Sequence, residues 1–198
     1  MPRLALNKTQ LTRESKQLET YERFLPSLDL KRRQLIAERN TARRDVVALQ
    51  DEIEEIEQSC GSRLPMAADE RLKLQNIATV RDVELSEENL VGLRLPVLVD
   101  AQINRISYEF LARPHWVDAL GDLLEKLLKM KLGLQVLEQR LKILELAVKK
   151  TTQRVNLFDK VLIPRTRENI RRIGIQLSDA EKAAVVNAKI AKRKRAER

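Results

Sequence analysis

Apolar residues recur every seven positions in both ends of the chain. Counting in sevens from Leu4 gives Leu4, Leu11, Leu18, Leu25, Arg32, Arg39, Val46 and Ile53. Counting from Asn7 gives Asn7, Glu14, Tyr21, Leu28, Leu35, Ala42, Leu49 and Ile56. Twelve of these sixteen positions are apolar, in one unbroken phase. A second array holds Leu120, Leu127, Leu134, Leu141, Val148, Val155 and Leu162, with Leu123, Met130, Leu137, Leu144, Thr151 and Phe158 three residues on. A strict seven-residue repeat draws a narrow stripe along a helix, and burying it takes a second helix supercoiled against the first. That helix can come from another chain, but two long stripes separated by a compact insert favour mutual burial. The expected fold is dominated by α-helix: a long antiparallel two-helix coiled coil of the N- and C-terminal arms, with a small insert containing a β-hairpin at its closed end.

Three segments follow: an N-terminal helix over 1–60, the insert over 61–119, and a C-terminal helix with a basic tail over 120–198. The first helix is expected from about residue 3 to 58, about 80 Å at 1.5 Å per residue. Cys60-Gly61 offers it a left-handed stop. Pro26 lies inside the stripe without changing its phase, so a kink is expected rather than a break. The second helix is expected from near Trp116 to about residue 190. Past Pro164 its stripe moves by one residue, to Ile163, Ile170, Leu177 and Ala184, joined by Ile173 and Ala180. Such a shift turns the seam by about 100° and requires a local change of register. Ser178 and Glu181 have capping-box spacing, but an uninterrupted helix is expected there. If Pro26 stands level with Pro164, both kinks lie at one height.

The insert changes period. Val91, Leu93, Leu95, Val97, Val99, Ala101 and Ile103 alternate with mostly polar or small residues, the pattern of a half-buried strand. Pro96 makes it an edge or bulged strand. A phase flip to Ile106, Tyr108 and Phe110 places a turn or bulge near Asp100–Asn104 and a second strand beyond it. Ile77–Leu85 is a weaker third candidate, with Ser86–Asn89 as a turn, and Leu64–Leu74 reads as a short helix or turn. Two or three strands are marginal alone in water, so this hairpin is expected to need cover from a partner.

Composition narrows the function. Of 198 residues 34% are charged and 3% aromatic, with five glycines, which suits long helices better than a globular enzyme. The net charge of +9 sits on one arm: residues 120–198 carry 20 basic and 9 acidic side chains, net +11. Arg165, Arg167, Arg171 and Arg172 form one cluster; Lys189, Lys192, Arg193, Lys194, Arg195 and Arg198 form another. Such surfaces suit nucleic acid or an acidic protein, although a basic terminus can also be a solvated, frayed end. Scarce aromatics and the lack of a recognition motif argue against nucleic acid. Arg32 and Arg39 occupy seam positions, which costs stability unless their stems snorkel or an acidic group meets them. No phosphate loop or dinucleotide fingerprint is found. The lone His115 and lone Cys60 support neither catalysis nor zinc binding, and Trp116 reads as a packing anchor. No catalytic residue, metal or cofactor is expected. No run approaches the 18 or so apolar residues of a membrane span, no signal core is seen, and a single cysteine fits a reducing cytosol.

Several stretches together resemble the D subunit of the V-type and archaeal-type rotary ATPases. They are Leu6-Asn-Lys and Leu25–Leu35; Gly92-Leu-Arg-Leu-Pro-Val97 with Pro114–Asp118; and Asn156–Pro164, Ile170–Ile173 and Leu177–Glu181. The order and spacing of these stretches cover nearly the whole chain. The related F-type rotor subunit has a much larger middle domain than 59 residues can hold. The resemblance implies a non-catalytic central rotor shaft that transmits torque between a catalytic hexamer of A and B subunits and a membrane rotor ring. ATP synthesis or hydrolysis would thereby be coupled to transport of protons or sodium. It implies a small central-stalk partner, the F subunit, a funnel-shaped subunit above the ring, no direct membrane insertion, and a cytoplasmic, membrane-peripheral location. Candidate partner-binding residues are Leu93, Leu95 and Val97 in the insert, and Arg165, Arg167, Arg171, Arg172, Lys192 and Arg193 on the basic arm. The alternative is a coiled-coil adaptor or secretion-export stalk without rotary coupling; the β-rich insert argues against it.

Overall fold

The computed structural model describes residues 5–63, 77–105 and 116–196. The elements are helix α1 (Lys8–Arg63), strands β1 (Ala78–Leu90) and β2 (Leu93–Arg105), helix α2 (Trp116–Leu157), a π turn (Phe158–Leu162) and helix α3 (Ile163–Ala196). Asn7 opens α1: its Oδ1 accepts from the Gln10 amide at 2.7 Å, satisfying a donor that the helix leaves free. The helix does not stop at Cys60-Gly61. It runs to Arg63, since a glycine permits a left-handed stop without enforcing one. Every seam position of α1 from Leu11 to Ile56 is buried or half-buried. The expected short helix at Leu64–Leu74, the apolar positions Ile106, Tyr108 and Phe110, and His115 lie outside the described residues.

Contacts divide the chain into two units. The first joins α1 up to Arg32 with the chain from Lys150 onward. Here the helices run antiparallel. Tyr21 and Phe158 meet edge to face at 5.3 Å, and further along α3 Asn169 Nδ2 donates to Glu14 Oε2 at 3.2 Å. Glu14 is buried at the seam and also accepts from Gln10 Nε2 at 2.8 Å, which offsets its desolvation. Val155, Ile163, Thr166 and Ile173 line the seam of the second arm. Pro26 stands level with Val155–Asp159 rather than with Pro164, because Val155, Asn156 and Asp159 share one cleft with Pro26, Leu25 and Asp29.

The π turn explains the one-residue seam shift. The Ile163 amide donates to the Phe158 carbonyl five residues back, so one extra residue is taken up inside the helix. Val155 is therefore followed at the seam by Ile163, eight residues on, and the sevens resume through Ile170 and Leu177. Pro164 comes directly after the turn. Its ring would press on the Lys160 carbonyl of a regular α-helix, and the widened turn gives that carbonyl room. Helix continues past Ser178 as expected, but from Asp179 to Ala196 every residue is exposed, so Ala180 and Ala184 are not seam residues here.

The second unit spans Arg33–Lys149. α1 and α2 run antiparallel in it, with Lys131 Nζ on Glu57 Oε1 at 2.7 Å. The hairpin is two-stranded, and its loop is Val91-Gly92, both with positive φ (53° and 78°), as a two-residue hairpin loop requires. Three expectations change as a result. Ile77–Leu85 is not a weak third strand, since Ala78 onward belongs to a full one; Ser86–Asn89 lies within β1; and Asp100–Asn104 lies within β2, where the expected irregularity is a bulge and not a turn. Register shifts set Arg81 and Val99 apart as bulge residues. Leu90 pairs with Leu93 and Glu87 with Pro96. Alternation from the loop makes the latter a non-hydrogen-bonded pair, so the missing proline donor costs no ladder bond.

The hairpin finds its cover within its own chain. Leu35, Ala42, Leu144 and Val148 of the helices form one core with Leu95, and Leu90 and Leu93 pack against it. Ile77, Trp116, Val117 and Leu120 form a second core, against which Cys60 packs, so Trp116 is the anchor expected. Mid-α2 thus buries two faces. A Cβ built on Gly133 would lie 3.7 Å from Leu49 on α1 and 4.0 Å from Leu98 on β2.

Candidate partner-docking site

The hairpin is tied to the helices electrostatically as well as by its core. Arg105, at the end of β2, reaches Asp122 at 2.6 Å and Glu125 at 2.7 Å on α2, while Lys129 Nζ holds Glu125 from the next turn at 2.9 Å. Hydrogen bonds from Lys129 and then Arg105 hold the Glu125 carboxyl below its ordinary range. Hydrogen bonds to Asp122 and Glu125 in turn raise the Arg105 guanidinium pKa. Nearer the loop, Arg140 of α2 meets Glu88 at 2.9 Å.

The hairpin residues singled out from sequence divide by burial. Leu95 is fully buried, with 0% exposed, in the chain's own core. Leu93 and Val97 are half-buried. Exposed apolar side chains lie elsewhere on the hairpin: Leu85 at 56% and Val99 at 60%, together with Val80 and Val91. Leu85 pairs with Leu98, immediately before Val99, so Leu85 stands beside the second bulge, of which Val99 is the extra residue. Sequence alternation put Val99 on the same face as Leu95. The bulge breaks that alternation at Val99, just before the Asp100–Asn104 stretch where the phase flip placed a turn or bulge.

The basic residues all lie on α3. Arg165, Arg171, Lys192 and Arg193 are exposed. Arg167 is partly drawn to α1 by Glu22 at 2.7 Å, and Arg172 is held along its own helix by Glu168 at 2.8 Å. Between Lys182 and Arg195 no acidic residue interrupts the surface. The same segment exposes Val185, Val186 and Ile190. The final turn carries Arg193, Lys194 and Arg195, which complement the negative end of the helix dipole. Arg198 lies outside the described residues. At the other terminus, a shallow groove along the start of α1 is lined by Lys8, Arg13 and Lys16 among Thr9, Thr12 and Thr20.

Among the described residues no group of three or more His, Cys, Asp or Glu side chains could hold a metal ion. No described helix is long and apolar enough to cross a membrane. Two exposed surfaces stand out among the described residues: the bulged part of the hairpin, with Leu85 and Val99, and the basic stretch of α3, with Val185, Val186 and Ile190.

The family model for the D subunit of ATP synthase matches residues 10–193. The chain belongs to that family. It is 29% identical over 192 residues to the V-type ATP synthase D subunit of Borreliella burgdorferi, covering 97% of this chain and 95% of that protein. It is 31% identical to the V-type ATP synthase D subunit of Chlamydia felis over 196 residues, covering 96% and 93%. The Chlamydia abortus protein of the same name is also 31% identical, over 96% and 92%. The match takes in both helical arms and the hairpin together.

Proposed function

We propose that this chain is the central rotor shaft of a V-type ATP synthase, a non-catalytic component that carries torque between a catalytic hexamer of A and B subunits and the ion-translocating ring in the membrane. The observation that carries this reading is the family match over residues 10–193, spanning both arms of the paired helices. The physics agrees. Two helices sharing a buried seam resist bending and twisting better than one, and an asymmetric shaft offers each catalytic site a different contact at each angle. Coupling of rotation to ATP chemistry is then a difference in contact between states.

The basic α3 segment is the part suited to the interior of the hexamer, where its net positive charge meets acidic loops through Arg165, Arg171, Lys192 and Arg193. The hairpin that carries Leu93, Leu95 and Val97 is the docking element for the small F subunit, with Leu85 and Val99 as the side chains available to it. A funnel-shaped subunit then connects the shaft to the ring. The chain works in the cytoplasm, peripheral to the membrane, and neither binds nor hydrolyses ATP alone.

The test is purification of the tagged chain from its native host under mild conditions. The rotary complex, including the A and B subunits and a small partner, is expected to come with it. Recovery of the chain with a secretion apparatus and no nucleotide-hydrolysing hexamer overturns the reading. Leu85→Asp with Val99→Asp is expected to remove the small partner while leaving the helix signal and the hexamer contacts in place.

A further inference from the structure

Two irregularities in the backbone fall at one level of the first unit. On α1, Pro26 lacks the amide that would bond the Glu22 carbonyl, and its ring crowds that carbonyl. On the other arm, the π turn Phe158–Leu162 replaces four-residue hydrogen bonding with the looser five-residue kind. Pro26 and Asp159 of the π turn line one cleft, and Tyr21, on the turn before Pro26, meets Phe158 edge to face, so the two irregularities lie within about a turn of one another.

Side-chain packing is also interrupted there. A cleft of about 330 Å³ opens where a closed seam would be expected, lined by Pro26, Asp29, Arg32, Val155, Asn156 and Asp159. Arg32 pairs with Asp29 through Nη2, but its Nε is buried without a hydrogen-bond partner. To either side the seam closes again, over Thr151 in one direction and over Thr166 and Ile173 in the other. A helix pair that is well packed above and below, and short of hydrogen bonds and packing at one height, deforms first at that height.

We propose that the level of Pro26 and the Phe158–Leu162 turn is a compliant joint, where the paired helices bend and unwind before their flanks do. Its use, to take up angular mismatch while the shaft is under load, rests on the rotor reading; its existence does not. The extra residue of the π turn is what keeps the seam in phase on both sides, so the joint softens the pair without breaking the register.

Hydrogen exchange on the full chain tests this directly. In the wild type, amides of Asp159–Ile163 and Ser27–Leu30 are expected to exchange at least about tenfold faster than those of Val148–Arg154 and Ile170–Gly174. Two variants remove the irregularities. Pro26→Ala restores the α1 bond. Deletion of the exposed Lys160 combined with Pro164→Ala returns the second arm to unbroken sevens, Val148, Val155, then the residues now Ile163 and Ile170. Both variants are expected to fold and to bring the fast amides to within about threefold of their flanks. Equal protection of joint and flanks in the wild type overturns the proposal, as does fast exchange that persists in both variants. Failure of the chain to purify with a rotary complex would instead remove the rotor reading and leave the exchange result standing.

Discussion

Val91 occupies a backbone region that β-branched residues rarely enter, and it does so because the two-residue loop demands positive φ at both positions. Strain of this kind costs about 1–3 kcal/mol. Val91→Asn is therefore expected to stabilise the chain by about 1 kcal/mol or more, seen as a higher denaturant midpoint at unchanged slope. A lower midpoint would mean that Val91 gains more from packing than it loses to strain. Glu125 shows the opposite balance, a charge favoured by its neighbours. Its folded pKa lies below the unfolded one, so its contribution is present above the ordinary carboxylate range and is lost as pH falls through the depressed value. Glu125→Gln should lower the melting temperature slightly near neutral pH, with the difference closing as pH falls below the depressed value. A gap that is unchanged at acid pH would show that the Arg105 and Lys129 bonds contribute nothing through charge. The effect is small either way, because these groups are largely solvated.

At the scale of elements, the hairpin owes its stability to the helices beneath it. Leu95→Ala removes a fully buried side chain from the core shared with Leu35, Ala42, Leu144 and Val148, and is expected to cost about 2–5 kcal/mol in chemical denaturation. A cost near zero would mean that the hairpin rides loosely on the coil. This dependence is the part of the fold that sequence did not reveal. Alternation along Leu93–Ile103 announced a half-buried strand, but a strand pattern cannot say whether its cover comes from the same chain or from a partner. Polarity at Ser86–Asn89 suggested a turn, while the loop is set by the conformational freedom of Gly92 three residues beyond that run. The seams were legible because a heptad repeat fixes one face along its whole length, and burial follows it from Leu11 to Ile56. The one-residue slip near Pro164 was legible too; a five-residue hydrogen bond as its local solution was not, since a π turn has no composition of its own. Among candidate docking residues, the basic side chains of α3 are as exposed as a solvated surface requires. Leu95 was chosen from alternation, and the fold uses it internally.

At the scale of the whole molecule, the charge distribution is the feature with the most direct kinetic consequence. Residues 120–198 carry net +11, from 20 basic and 9 acidic side chains, and the last turns of α3 hold Lys189, Lys192, Arg193, Lys194 and Arg195 at the exposed surface. A helix exposed on all sides gains little from folding alone, since most helical stability in proteins comes from burying an apolar face. Removing residues 189–198 is accordingly expected to leave the thermal unfolding of the free chain almost unchanged. Assembly should respond differently. Complementary charge raises association rates more than it lengthens lifetimes, and between solvated groups it is screened beyond about 8–10 Å at ordinary salt. Binding of the truncated chain to an isolated hexamer of A and B subunits should therefore be slower at low ionic strength than binding of the full chain. The two rates should converge as salt is added, because the full chain loses an advantage the truncated one never had. Stopped-flow association at low and high salt measures both. Equal rates for the two chains at both salts would show that the tail is a solvated end with no part in docking, and the basic surface of α3 would then have to act, if at all, through Arg165 and Arg171 closer to the seam.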